Sequence, residues 1–221
     1  MKEQKWMSAK PVLNFIDIAR RFTDRGYARL FVHRLIKSKK LKRITKSRYT
    51  TSEDIFLIAS NLYFPGYISF LSASAYYGYT EIIPQRIYIV TAHDHKKIDF
   101  EKYSLYFVKL NPVWGYKQDK EGIFIADTEK LLIDVFLKPN YMGNFNEIEN
   151  IFRNISSIDR EKLKNYLKRI NSNKIYRQVG YMLEQHQRID ILDLFPINKN
   201  YYSLNPFQRG KKLNKKWRLF I

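Results

Sequence analysis

Apolar and polar positions change period several times along this chain, and each change predicts an element. Ala28, Phe31, Val32, Leu35 and Ile36 recur at three- and four-residue spacing, the stripe of an amphipathic helix. Before it, NFIDIARRF puts Ile16, Ala19 and Phe22 on one helical face. Thr23-Asp24-Arg25-Gly26 reads as the turn between them, with Gly26 free to take a positive φ. A further short helix is expected within Met1–Val12, limited by Pro11. After the second helix, LKRI reads as a short strand, KSR as a tight turn and YTT as the return strand. Two helices around a Gly-bearing turn, then a basic hairpin, is the order of a winged helix-turn-helix.

The rest of the chain alternates between strand and helix. Ser52 is placed to cap a helix over Glu53–Leu62, and FPG breaks it. Tyr67–Ser69 reads as a strand entering a helix at Ser69–Tyr77, stopped by Gly78. RIYIVTA and SLYFVKL alternate as strands about the turn HDHKK. VWGYK and GIFIA suggest a hairpin around Asp119–Gly122. Asp127 is placed to cap a helix through Leu137, and three more helices are expected near 145–154, 159–170 and 173–187. NYYSLNP and KKWRLFI return to extended structure. The predicted fold is α+β. A winged helix-turn-helix over 1–62 is followed by a mixed α/β domain over 63–221, with the boundary within residues 51–66.

Charge changes the picture most. The 221 residues carry 40 Lys and Arg against 21 Asp and Glu, a formal +19. The excess is uneven: +12 over 1–50, −4 over 51–150 and +11 over 151–221. A basic head, a mildly acidic middle and a basic tail imply surfaces with different partners, polyanions at the two ends. No apolar run approaches a membrane span and no signal-peptide core opens the chain, so a cytoplasmic protein without membrane partners is expected. There is no Cys, which excludes thiol catalysis and Cys-based metal sites.

The candidate DNA-binding set is Arg25, Tyr27, Arg29, His33, Arg34, Lys37, Lys42, Lys46 and Arg48. With Tyr27–Ser38 in the major groove, Arg29, His33 and Arg34 would reach bases or nearby phosphates, since Arg is the commonest reader of guanine. Arg25, Lys37, Lys42, Lys46 and Arg48 would hold phosphates. A solvated basic helix in a protein–protein module is the competing reading. RNA has less support, because no aromatic stacking platform of the RNP type is visible.

His93-Asp94-His95 resembles a metal-ligand cluster, but Lys96 and Lys97 beside it repel a divalent cation, and an exposed turn is favoured. Asp127, Glu129, Lys130 and Asp134 resemble nuclease groups. They crowd one helix start, where capping and first-turn charge explain them better. With no phosphate-cradling Gly-rich loop and no nucleophile elbow, no active site, cofactor or metal is expected. Gln208–Ile221 holds six Lys or Arg and no acid. Trp217, Leu219 and Phe220 around Arg218 suggest a pinned strand; Lys211, Lys212, Lys215 and Lys216 are either its solvated rim, the favoured reading, or a second phosphate contact.

YISFLSASAYYGYTEIIPQRIYIVT resembles the opening of the second domain of AbiEi-type antitoxins. IADTEKLLIDVF is similar to their ADxEKxLLD helix start, with Thr128 where Pro is common. IYRQVGYMLE resembles a late helix of that family, and YYSLNP with KLNKKWRLFI its closing strands. The likeness covers nearly the whole chain. It implies the antitoxin of a type IV toxin–antitoxin system. The family's winged helix binds double-stranded operator DNA and represses its own transcription. Its second domain counteracts a nucleotidyltransferase-like toxin, by direct contact or without it. A standalone winged-helix regulator, with a ligand-sensing or dimerising second domain, is the alternative.

Overall fold

A computed structural model of the chain describes residues 6–221. Of the helix expected within Met1–Val12, the first five residues lie outside the described residues. Residues 6–12 form turns and bends rather than helix. The chain is mixed α+β and divides into two interleaved compact units. One takes in the chain up to residue 68, with 85–113 and 118–124; the other holds 69–84, 114–117 and 125–221.

The first unit opens with β1 (Leu13–Asn14), α1 (Phe15–Ala19), α2 (Arg25–Lys37), β2 (Lys42–Arg43) and β3 (Arg48–Thr50). The three strands form an antiparallel sheet ordered β1-β3-β2. The start of α1 is held by Asp17, whose carboxylate accepts the Asn14 N–H at 3.0 Å. The start of α2 is held by Asp24, which accepts the N–H groups of Gly26 and Tyr27, each at 3.0 Å. Asp24 is therefore an N-cap, and Gly26 lies in the first helical turn rather than in a positive-φ turn. The core beneath contains Leu13, Ile18, Val32, Leu35, Leu41 and Tyr49.

α3 (Ile55–Ser60) follows. Asp54 caps it, accepting from Phe56 and Leu57, while Ser52 accepts the Asp54 N–H instead of capping the helix. β4 (Gly66–Ile68), β5 (Arg86–Thr91), β6 (Ile98–Phe100) and β7 (Tyr103–Lys109) run in the order β6-β7-β5-β4. β5 and β7 are parallel; the other neighbours are antiparallel. Two short strands, β8 (Tyr116–Gln118) and β9 (Phe124–Ala126), lie where the chain passes between units.

The second unit holds α4 (Phe70–Tyr76), α5 (Thr128–Leu137), α6 (Phe145–Asn154), α7 (Arg160–Ile170) and α8 (Asn173–Gln187). A small sheet of β10 (Tyr202–Ser203), β11 (Leu213–Asn214) and β12 (Leu219–Phe220) closes it. α5 packs against α4, α6, α7 and α8, and every side chain from Glu129 to Phe136 is buried. A helix enclosed all round ought to be apolar. This one carries Glu129, Lys130 and Asp134, with Asp127 at its N-cap position.

Each charge has a partner. Lys130 and Asp134 pair one turn apart, and Ser69 donates to Asp134 at 2.8 Å. Glu129 accepts the Asp159 N–H at 2.9 Å. Asp127 does not cap the helix with its side chain. Its carboxylate accepts from Tyr166 at 2.7 Å and pairs with Lys162 at 3.0 Å. Burial and the bond to Asp127 push the Tyr166 hydroxyl far above the usual phenol range. Burial works against the Lys162 charge, yet Asp127 and Glu129 raise its pKa overall.

Trp217 anchors the small sheet. It is fully buried, donates from its indole N–H to Glu184, and sets the outer edge of its six-membered ring against α8 at Gly180. A Cβ at 180 would meet the indole at 2.2 Å. Among the described residues, no helix is long and apolar enough to cross a membrane.

Two stability predictions follow from these contacts. Lys130→Met removes the buried Asp134 carboxylate's ion-pair partner, at a cost of about 3–5 kcal/mol in denaturant unfolding. Adding Asp134→Leu should recover much of that loss. If the double variant is no more stable than the single one, the pair is not what satisfies α5. Gly180→Ala should cost roughly 1–3 kcal/mol by overpacking against Trp217, and unchanged unfolding would show that the indole has room to move.

Candidate nucleic-acid interface

α2 turns Ala28, Val32 and Leu35 into the core. At 100° per residue, Gly26, Leu30, His33 and Lys37 then run down the middle of the opposite face. Arg29 lies on one flank, Tyr27 and Arg34 on the other. Arg25, Tyr27, Arg29, His33, Arg34 and Lys37 are all exposed. The Tyr27 ring leans on Phe22 at 5.4 Å and stays half open to solvent. Arg34 and Lys37 occupy the last turn, where cations offset the exposed carbonyls.

The hairpin between β2 and β3 is braced by hydrogen bonds across its tip. Arg43 donates to the carbonyls of Thr45 and Lys46, each at 3.2 Å, and Ile44 N–H donates to the Arg48 carbonyl at 2.9 Å. Lys46 projects from this turn, fully exposed. Two sequence candidates are otherwise engaged. Lys42 pairs with Glu53 and with Glu101 at 2.7 Å, and these carboxylates raise its pKa. Arg48 lies 4.1 Å over the Tyr63 ring. The structure thus leaves Arg25, Arg29, His33, Arg34, Lys37 and Lys46 presented to solvent and spends Lys42 and Arg48 on internal contacts.

Sequence reasoning missed two groups here. Leu30 is 44% exposed in the middle of the α2 face, an apolar residue off the buried stripe. Arg20 shares with Arg25 and Arg29 an open groove of about 570 Å³ floored by Phe15, Ile16 and Phe22. The signal for Arg20 was its place four residues after Ile16, at the end of the short α1.

No family model matches the chain, and no curated protein matches it. Among solved structures it is similar to the RV2827C protein from Mycobacterium tuberculosis. The two share 14% identity and a TM-score of 0.68, over 96% of this chain and 86% of that one. At that identity the likeness is one of fold.

The other sequence candidates do not converge on a site. The His95 ring stacks on Tyr63 at 3.6 Å, and Phe107 meets both rings edge-on. Asp94 pairs with Lys109 at 2.7 Å, and His93 is exposed. Rather than the fully exposed turn expected, the string has one side chain packed inward. Among the described residues, no group of three or more His, Cys, Asp or Glu is placed to hold a metal.

The His95 stack makes a pH prediction. Burial lowers the His95 pKa from its ordinary 6.5, and the charges of Arg48 and His93 lower it further, against Asp94, which raises it. The neutral ring is therefore favoured in the folded state. The stack contributes its full stability above pH 6.5 and loses it as pH falls through the depressed folded value. His95→Phe should remove this acid-side step from the melting temperature measured against pH, relative to the parent. His186, also shifted down by burial, supplies the control: His186→Phe should leave the His95 step in place.

Proposed function

We propose that the chain is a DNA-binding transcriptional repressor, its first two helices and hairpin acting as a winged helix-turn-helix, and that it serves as the antitoxin of a type IV system. The observation that carries the DNA reading is the exposed face of α2. It presents Arg29, His33, Arg34 and Lys37 around Leu30, with no acid along it, beside a braced hairpin tip carrying Lys46. Arg29 and Arg34 flank the groove-facing line and are placed to read guanine edges, and Leu30 offers an apolar contact for a thymine methyl. Arg25, Lys37 and Lys46 hold phosphates. The antitoxin part rests on the sequence resemblance, which assigns a nucleotidyltransferase-like toxin as the functional partner.

Affinity measured against salt, on an operator duplex and on random duplex, tests the first part. Arg29→Ala or Arg34→Ala should cost ~1–3 kcal/mol on the operator and much less on random DNA. Lys46→Ala should weaken both alike and lower the salt slope by about one unit. Lys42→Ala should leave the slope unchanged, because its charge is already neutralised by two carboxylates. A drop for Lys42 equal to that for Lys46 would mean that the hairpin is read wrongly. Co-expression with the adjacent gene tests the second part. The Arg29→Ala/Arg34→Ala chain should still rescue growth while losing repression. Loss of both together would place neutralisation on the DNA-binding surface.

A further inference from the structure

The small sheet that closes the second unit has two faces of opposite character. Leu219 is paired with Tyr202 and Asn214, and it points inward, fully buried. Phe220 is paired with Ser203 and Leu213, so those three share the outer face. Leu213 is 46% exposed there. Tyr201 lies 5.9 Å from the Phe220 ring, and the Arg209 guanidinium lies 4.1 Å over it. Phe207 and Tyr201 remain 42% and 43% exposed. A hollow of about 310 Å³, lined by Leu204, Asn205, Gln208, Arg209 and Lys211, opens beside this row.

The cations around it divide into two kinds. Lys216 is held by Glu184 and by Asp190 at 2.7 Å, which secures the turn before Trp217. Lys211, Lys212 and Lys215 are exposed and form no ion pair among the described residues. Lys211, two residues before Leu213, falls on the outer face; Lys212, paired with Ile221, falls on the opposite side, and Lys215 lies in the turn after β11. The outer face therefore joins a row of planar groups, Tyr201, Phe220 and Arg209, to Lys211, with two more unneutralised lysines at its edge.

We propose that this face binds single-stranded nucleic acid, with unpaired bases stacked on Tyr201 and beside the Arg209–Phe220 pair, and phosphates on Lys211, Lys212 and Lys215. Planar groups and unneutralised cations side by side match a strand that offers π-faces and phosphates in alternation. A duplex buries its base faces and could use only the lysines. An acidic peptide has the charge but does not supply a π-face with every anion, as a single strand does. For duplex DNA the tail lysines are the solvated rim that the sequence suggested; for a single strand they are backbone contacts. The surface stands apart from the α2 reading and does not depend on it.

The test uses the full chain and fluorescence anisotropy with a short labelled RNA strand, the matching DNA strand and the matching duplex. Tyr201→Ala should weaken single-strand binding about tenfold, while Tyr201→Phe, which keeps the ring, should not. Lys211→Ala/Lys212→Ala/Lys215→Ala should lower the single-strand salt slope by about two units. Neither change should move duplex affinity, whereas Arg29→Ala/Arg34→Ala should move the duplex and spare the single strand. Comparison of the RNA and DNA strands shows which sugar the face accepts. Tail variants that bind single strands as the parent does would overturn the proposal. So would equal losses on single strand and duplex, or tail-dependent binding to phosphatidylserine vesicles without any to single strands. If the α2 variant leaves duplex binding intact, the repressor reading fails and the tail result still stands.

Discussion

Burying charge on every side of α5 is the constraint around which the second unit is organised. An unpaired carboxylate or ammonium in that environment would cost several kcal/mol, so each one dictates what must stand beside it. Asp134 requires the Ser69 hydroxyl, which fixes the start of α4 against the middle of α5. Asp127 requires Tyr166 and Lys162, and Glu129 requires the Asp159 backbone; together they fix the first two turns of α7 and the residue that caps it. Lys130 lies 4.8 Å over the Trp114 ring and Arg169 lies 4.5 Å from it. Apolar packing alone would allow these helices to slide by a turn. The charged groups permit one register only.

The same arithmetic decides which cations are left for partners. The chain has roughly half as many acids as bases, and the acids are spent on holding structure. Glu53 and Glu101 take Lys42, Asp99 takes Lys97, and Glu184 and Asp190 take Lys216. Among the described residues, Arg25, Arg29, Arg34, Lys37, Lys211, Lys212 and Lys215 form no ion pair. A polyanion that neutralises these cations releases its own counterions. The excess of +19 is thus weighted toward the two ends, where few of the cations are held in ion pairs among the described residues.

Element periods were legible, tertiary choices were not. The stripe from Ala28 to Ile36 located α2, and α6, α7 and α8 lie within a residue of the spans read from the sequence. Caps failed wherever two candidates stood close together. Asp54 outcompetes Ser52 because it sits at the helix boundary itself. Asp24 pulls Gly26 into α2 because both its oxygens accept helix N–H groups. Asp127 sits at the cap position, but its carboxylate is drawn away by Tyr166 and Lys162, residues more than thirty positions distant. Lys42 and Arg48 looked like any other wing cations, since their partners Glu101 and Tyr63 come from distant segments. Local pattern cannot report which of several cations will be neutralised by the fold.

Each proposed surface includes some of the smallest elements in the molecule. Strands of two or three residues have too few ladder hydrogen bonds to hold a shape alone. Each is braced by one side chain: Arg43 across the hairpin tip that carries Lys46, and Trp217 beneath the sheet that carries Phe220. Trp217 is buried away from the proposed ligand, whereas Arg43 is itself exposed. Their effect is to hold the cations on the free side in place before a partner arrives, so less ordering remains to be done on binding. The residues that set affinity at such a surface include groups that never touch the ligand, and Gly180 is the extreme case. It contributes no side chain, yet the space left by its missing Cβ is what allows Trp217 to seat and the small sheet to form above it.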